Sequence, residues 1–228
     1  MSSGAARPPQ EYSAQSSTAP SDTPQSNTAQ SYTAQSYDPR TALVVVDVQN
    51  DFADPSGGLY VTGGEQVVTA ANAEIEAARA AGAPVFYTQD WHPPQTPHFV
   101  TDGGVWPVHC VAGTWGAELH PDLVLAGPVV RKGVDGEDGY SGFTVRDPRS
   151  GEHSGTGLAD RLREAGAERL VVVGLAGDVC VKATALDGAA LGWKTTVPWA
   201  AVRSVELNEG DDAAARSELS AAGVDVRE

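Results

Sequence analysis

The chain has 228 residues, 41% of them hydrophobic and 20% charged, enough for one large domain or two small ones with a packed core. Thirty acidic against 15 basic residues give a formal charge of -15, which speaks against nucleic acid or an anionic membrane surface as partner. No apolar run approaches the ~20 residues that span a bilayer, and two cysteines make no disulfide framework, so a cytoplasmic protein with reduced thiols is expected.

Residues 1–37 are rich in Ser, Thr, Gln, Pro and Ala, and the pentapeptide TAQSY recurs at 28–32 and 33–37. They contain no Leu, Ile, Val, Phe or Trp, so they carry no apolar core of a secretory signal. Such a segment buries too little apolar surface to offset its ordering entropy. The expectation is a disordered tail over 1–38, with a partner-binding tail as the alternative, followed by one domain over 39–228.

From Asp38 onward strand and helix signals alternate. TALVVVDV (41–48) is a continuous β-branched run, as for a strand buried on both faces. Residues 65–81 place Val68, Ala71, Ile75 and Ala78 at helical spacing, and Gly82 ends the run. APVFYTQD (83–90) reads as a strand, followed by a long loop rich in Pro, Gly and Trp. GPVVRKG (127–133) is a short strand, 157–165 a helix and RLVVVGLA (169–176) a strong strand. Residues 179–191 read as helix, 193–200 as strand, 210–222 as helix and 224–227 as a short last strand. Alternation of this kind predicts an α/β fold, doubly wound, with a mostly parallel sheet and helices on both faces. Ligands in such folds bind beyond the carboxyl ends of the strands. Asp47, Asp90 with His92, Lys132 and Cys180 each fall at such an end and should converge on one edge.

Cys180 lies between a buried strand and a helix, where the helix N-terminus lowers a thiol pKa and free N–H groups can hold an oxyanion. A buried, inert thiol fits the same segment. Asp47 ends a buried strand, a costly place for a carboxylate unless it is paired, capping or functional. Lys132 is one of only three lysines and is otherwise readable as a solvated one. Together, Cys, Asp and Lys can run acyl transfer. Asp90, His92, His98 and His109 gather three of the five histidines within 20 residues. Mixed N and O donors of this kind suit Zn, Mn or Fe. His120 and His153 have no such neighbours and read as surface residues.

VVDVQNDF (45–52), TQDWHPPQTPHF (88–99), WPVHCVAGTWGAELHP (106–121), RKG (131–133), YSGF (140–143) and GLAGDVCVKATA (174–185) resemble nicotinamidases, of the isochorismatase-like cysteine hydrolase superfamily. The resemblance runs from Thr41 to the C-terminus, with the motifs in order. It implies a doubly wound hydrolase that converts nicotinamide to nicotinate and ammonia through a thioester, in NAD salvage. By the same resemblance, Cys180 is the nucleophile, Asp47 the catalytic acid/base and Lys132 the catalytic lysine. One divalent metal, Zn foremost and Fe or Mn next, falls to Asp90, His92 and His109, with His98 a ligand directly or through water. Phe52 and Trp106 match the aromatic clamp on the pyridine ring, and Tyr140 a pocket position. A cis peptide at Leu175–Ala176 would aim the Ala176 N–H, beside that of Cys180, at the oxyanion. The implied partner is a small amide; a homo-oligomer is compatible.

Two departures stand out. WAAVR (199–203) has alanine where many members have an acidic residue, and Val179 replaces the His or Tyr of several relatives. Three rival readings are a related hydrolase of another small amide or carbamoyl compound, a vinyl-ether hydrolase and a non-catalytic scaffold. The second lacks a use for Cys180. The third leaves every filled catalytic and ligand position unexplained.

Overall fold

A computed structural model describes residues 32–228. In chain order the elements are β1 (Thr41–Val46), α1 (Asn50–Ala53), α2 (Gly64–Ala80), β2 (Val85–Asp90), β3 (Val129–Lys132), β4 (Thr144–Arg146) and β5 (His153–Gly155). There follow α3 (Leu158–Glu164), β6 (Arg169–Leu175), α4 (Lys182–Ala190), β7 (Lys194–Pro198), β8 (Val202–Arg203), α5 (Asp211–Ala221) and β9 (Asp225–Arg227). A seven-stranded sheet runs β3-β2-β1-β6-β7-β9, with β8 beside β6, and every pairing in it is parallel. The expected doubly wound α/β architecture is therefore present. The short hairpin β4–β5 is antiparallel and stands outside this sheet.

Side-chain alternation along the central strands divides the core in two. Leu43 and Val45 of β1 and Val171 and Val173 of β6 face Ala71, Ile75 and Ala78 of α2. Ala42, Val44 and Val46 with Leu170 and Val172 face Leu158, Leu162 and Leu219, from α3 and α5. Both faces are covered, which is why these strands read as unbroken apolar runs. Strand order reverses between β1 and β6, because β2 and β3 extend one way and β7 and β9 the other. A cleft opens at such a switch point, beyond the strands' carboxyl ends.

The segment expected to be tail up to residue 38 is described only from Tyr32 onward. Residues 1–31 of the predicted tail are outside the described residues, but residues 32–38 lie on the domain. Glu74 of α2 is wholly buried. Its carboxylate accepts hydrogen bonds from the Tyr32 hydroxyl on Oε1, the Tyr37 hydroxyl on Oε2 at 2.6 Å and the Gln35 N–H at 3.1 Å. Arg227 near the C-terminus holds the Gln35 side chain at 2.6 Å. The two tyrosines close the two TAQSY repeats, so the repeat places a phenol on each oxygen of one carboxylate. Composition hid this, because it treats a tyrosine as one polar residue among many. Here each tyrosine also packs its ring against the core.

Tyr37→Phe leaves Glu74 Oε2 with only a longer bond from the Gln35 N–H. Losing a hydrogen bond to a buried carboxylate should cost about 1–3 kcal/mol, and more with Tyr32→Phe added. Urea unfolding of the single and double variants measures this, and midpoints equal to the parent's would show that the segment does not brace α2.

Candidate active site

The parallel register brings the chemistry to one edge. Asp90 and Lys132 are the last residues of β2 and β3 and are direct register partners. Asp47 follows β1 with φ of 48°, and Cys180 lies in a π-helical turn, Gly177–Val181, that links β6 to α4. The Leu175–Ala176 peptide before that turn is cis.

Lys132 is the hub. Its ammonium is fully buried, 2.7 Å from Asp47 Oδ2 and 2.5 Å from Asp90 Oδ1. It also donates to the Gly139 carbonyl and lies 3.8 Å from Cys180 Sγ. A carboxylate oxygen of Asp47, one of Asp90 and the Cys180 sulfur all fall within 4.8 Å of one another. Burial alone would strip the lysine of its proton, but the two carboxylates overcome this and hold its pKa well above the usual value. Burial pushes Asp47 up to about 6, against the pull of Lys132 and with the help of the Asp90 charge. Burial also works to raise Asp90, but Lys132 and the histidines outweigh it and keep it ionised far below the ordinary range. Thr88 donates to Asp47 Oδ1 at 2.7 Å, and Gln49 exchanges two hydrogen bonds of 2.8 Å with the Asp90 backbone.

The thiol corrects one expectation. Burial raises the Cys180 pKa well above its ordinary value, more than Lys132 lowers it. With its pKa raised in this way, the resting sulfur carries its proton.

Beyond Asp90 the four predicted metal-site residues meet. After β2 the chain makes a short parallel bridge between His92 and Val111, in which His92 N–H donates to the Cys110 carbonyl at 3.0 Å and Ala112 N–H to the His92 carbonyl at 2.8 Å. This pairing sets His92 beside His109. A second one, Val100 N–H to the Trp106 carbonyl at 2.8 Å, brings His98 in. A ring nitrogen from each of the three histidines lies within 4.8 Å of the other two. Asp90 Oδ2 is 3.8 Å from His92 Nε2 and 3.9 Å from His109 Nε2. Gly133 makes room for this, since a Cβ there would fall 2.4 Å from His92 Cε1 and its φ is 75°.

These residues fit a divalent cation. Both ring nitrogens of His92 are buried without a hydrogen-bond partner, a costly state that coordination relieves. Burial lowers His98, and lowers His109 to about 4, so both rings are neutral and ready to donate a lone pair. His120 and His153 lie outside the cluster, the first half-buried and the second exposed.

A cavity opens onto Cys180 and Asp90, lined among others by Phe52, Trp106, Tyr140 and Ala176. Trp106 donates its indole N–H to the Tyr140 hydroxyl at 2.9 Å. The sequence reading missed Leu59 and Val205 on this wall, and Asp51, which accepts the N–H groups of Gly58 at 2.8 Å and Cys110 at 2.6 Å. It also missed Gln49 and Thr88, whose polarity amid buried strand ends was the available signal.

Residues 41–227 match the Isochorismatase domain family. The chain is 38% identical over 203 residues to the nicotinamidase of Escherichia coli K12, covering 81% of this chain and 93% of that protein. It superposes on the pyrazinamidase of Pyrococcus horikoshii in complex with zinc with a TM-score of 0.74 at 34% identity, covering 83% and 99% of the two chains. The L. infantum protein PnC1 in complex with nicotinate gives 0.75 at 34% identity, covering 86% and 96%.

The Asp47 environment predicts a stability signature. Its folded pKa of about 6 exceeds the ordinary 3.8, so folding favours its protonated form. Stability therefore falls as pH rises from 4 through 6, by about 3 kcal/mol in all, and stays lowered above. Asp47→Asn lacks that titration. Urea unfolding at pH 4 and pH 8 should show the variant gaining on the parent with rising pH, and a difference constant with pH would refute the assignment.

Proposed function

The chain belongs to the isochorismatase-domain family, and from that premise we propose that it is a nicotinamidase, hydrolysing nicotinamide to nicotinate and ammonia. The observation that carries this reading is one cavity that joins Cys180 to an aromatic wall and to the histidine cluster. The reaction is assigned to NAD salvage. Two unpaired cysteines agree with a reducing cytoplasm. Among the described residues no helix is long and apolar enough to cross a membrane.

Phe52 and Trp106 hold the pyridine ring, and Tyr140 fixes the Trp106 indole. This sets the carboxamide carbon against Cys180 Sγ. Asp47 takes the thiol proton as sulfur attacks, so the thiolate forms only as it is consumed. That order follows from a thiol held above its ordinary pKa beside a base near 6. Lys132 balances the charge of the two carboxylates and of the nascent thiolate. The N–H groups of Ala176 and Cys180 receive the oxyanion, each such donor contributing about 3 kcal/mol. Asp47 then gives its proton to the leaving nitrogen, the C–N bond breaks and ammonia departs. Next it takes a proton from water, whose oxygen attacks the thioester carbon. The C–S bond breaks, nicotinate leaves and the thiol regains its proton.

Asp90, His92 and His109, with His98, would hold one divalent metal, zinc first by the donor set. When bound, it supplies a Lewis-acidic anchor for the pyridine nitrogen.

Ammonia release from nicotinamide tests the reading. Cys180→Ala should lose at least ~10³-fold in kcat while still binding metal. The parent's kcat/KM should fall about tenfold per pH unit below about 6, as Asp47 is protonated. An active Cys180→Ala variant would rule out the thioester route. Release of no ammonia from nicotinamide by a metal-loaded protein would move the substrate to another small amide.

A further inference from the structure

The histidine cluster is supported unevenly. The His109 Nδ1–H donates to the Pro107 carbonyl at 2.7 Å, inside its own loop. His98 instead reaches a carboxylate 40 residues away in sequence, with Nδ1 2.8 Å from Asp138 Oδ1. A carboxylate only accepts, so Nδ1 carries the hydrogen and Nε2 keeps its lone pair. The His98 ring stacks on His92 at 4.6 Å between centroids and 18° between planes, which leaves little freedom in its pose.

Asp138 is itself fixed. Its main chain exchanges two hydrogen bonds with Arg146, of 2.8 and 2.9 Å, and the Arg146 guanidinium lies 3.3 Å from its second oxygen. Arg146 is the end of β4 and pairs with His153 of β5. A second tie runs alongside: the Thr96 hydroxyl donates to the buried Gly136 carbonyl at 2.7 Å and accepts the His98 N–H at 3.2 Å. The segment that carries His98 is thus bound to the 136–138 loop at two points.

We infer that Asp138 is a positioning residue of the metal centre. It locks His98 in the tautomer and orientation that make it a direct Nε2 ligand beside His92 and His109, and Arg146 and the β4–β5 hairpin lock Asp138 in turn. The hairpin, which lies outside the main sheet and contributes nothing to the two cores through β5, has this as its role. The inference rests on the metal reading given above but not on the identity of the amide.

The test uses the full chain, stripped of metal and titrated with Zn²⁺ against a chromophoric chelator. Asp138→Ala should weaken zinc 10- to 100-fold, the range for loss of a carboxylate behind a metal-bound histidine. His98→Ala should weaken it at least as much, and the double variant no further than His98→Ala alone, because both changes remove one ligand. Asp138→Asn retains an acceptor oxygen for Nδ1–H and should fall between, which separates orientation from misfolding. The visible spectrum of the Co²⁺-loaded protein should change in the same order, reporting the ligand set directly.

Parent-like zinc affinity and cobalt spectrum in Asp138→Ala would overturn the inference, as would losses that add in the double variant. A parent that releases ammonia but takes up no zinc would overturn the metal assignment and this inference together. Asp138-dependent zinc binding without ammonia release from nicotinamide would sink the substrate reading and support this one.

Discussion

The site is organised by one buried cation between two buried carboxylates. Lys132 has no access to water, yet lies within hydrogen-bond reach of both Asp47 and Asp90. Two carboxylates at this depth cannot both ionise without a cation, and an ammonium cannot remain charged there without anions. Each therefore fixes the state of the others. The parallel register supplies the geometry, because Asp90 and Lys132 are neighbours across β2 and β3 and Asp47 ends the next strand. Three strand ends deliver three charges to one point, and the turn after β6 adds the sulfur.

That triad also joins the two halves of the site. One Asp90 oxygen faces Lys132, while the other lies between His92 and His109. A cation held by the histidines would compete with the Lys132 ammonium for this one carboxylate. Its binding would then be linked to the proton affinity of Asp47, since the Asp90 charge is one of the forces that raise Asp47. The histidines add the opposite requirement. A ligand imidazole must be neutral, and burial, which lowers His98 and lowers His109 to about 4, favours that state in these two.

The strands and their ends were legible because burial on both faces writes itself as unbroken apolar runs. VVV before Asp47 and VVVGL before the Cys180 turn locate the edge of the sheet without any long-range information. The histidines were legible by scarcity and spacing. What could not be read was support that depends on distant partners. Asp138 is an ordinary loop aspartate until the fold sets it against His98, and Glu74 is a surface helix residue until Tyr32 and Tyr37 cover it. The hairpin β4–β5 left no trace for a similar reason: its three-residue strands are short and mostly polar, so no periodicity marks them. The depth at which Cys180 is buried, which raises its thiol pKa, was likewise not visible in the sequence.

Two aspartates end adjacent strands, and only their surroundings divide the work between them. Asp90 faces Lys132 on one oxygen and the histidine nitrogens on the other, and these outweigh its burial and hold its pKa below the ordinary carboxylate range. Such a carboxylate can hold a cation but cannot take and return a proton near neutrality. Asp47 shares the same lysine, yet its other oxygen has only the neutral Thr88 hydroxyl, and burial moves it to about 6. In the proposed mechanism it is the carboxylate that could accept a proton from the thiol in one step and give it to a leaving amine in the next. The asymmetry arises from what lies beyond each strand end, a threonine for one and a histidine cluster for the other. The excursion from 91 to 112, which carries those histidines, therefore sets the division of labour as much as the aspartates themselves do.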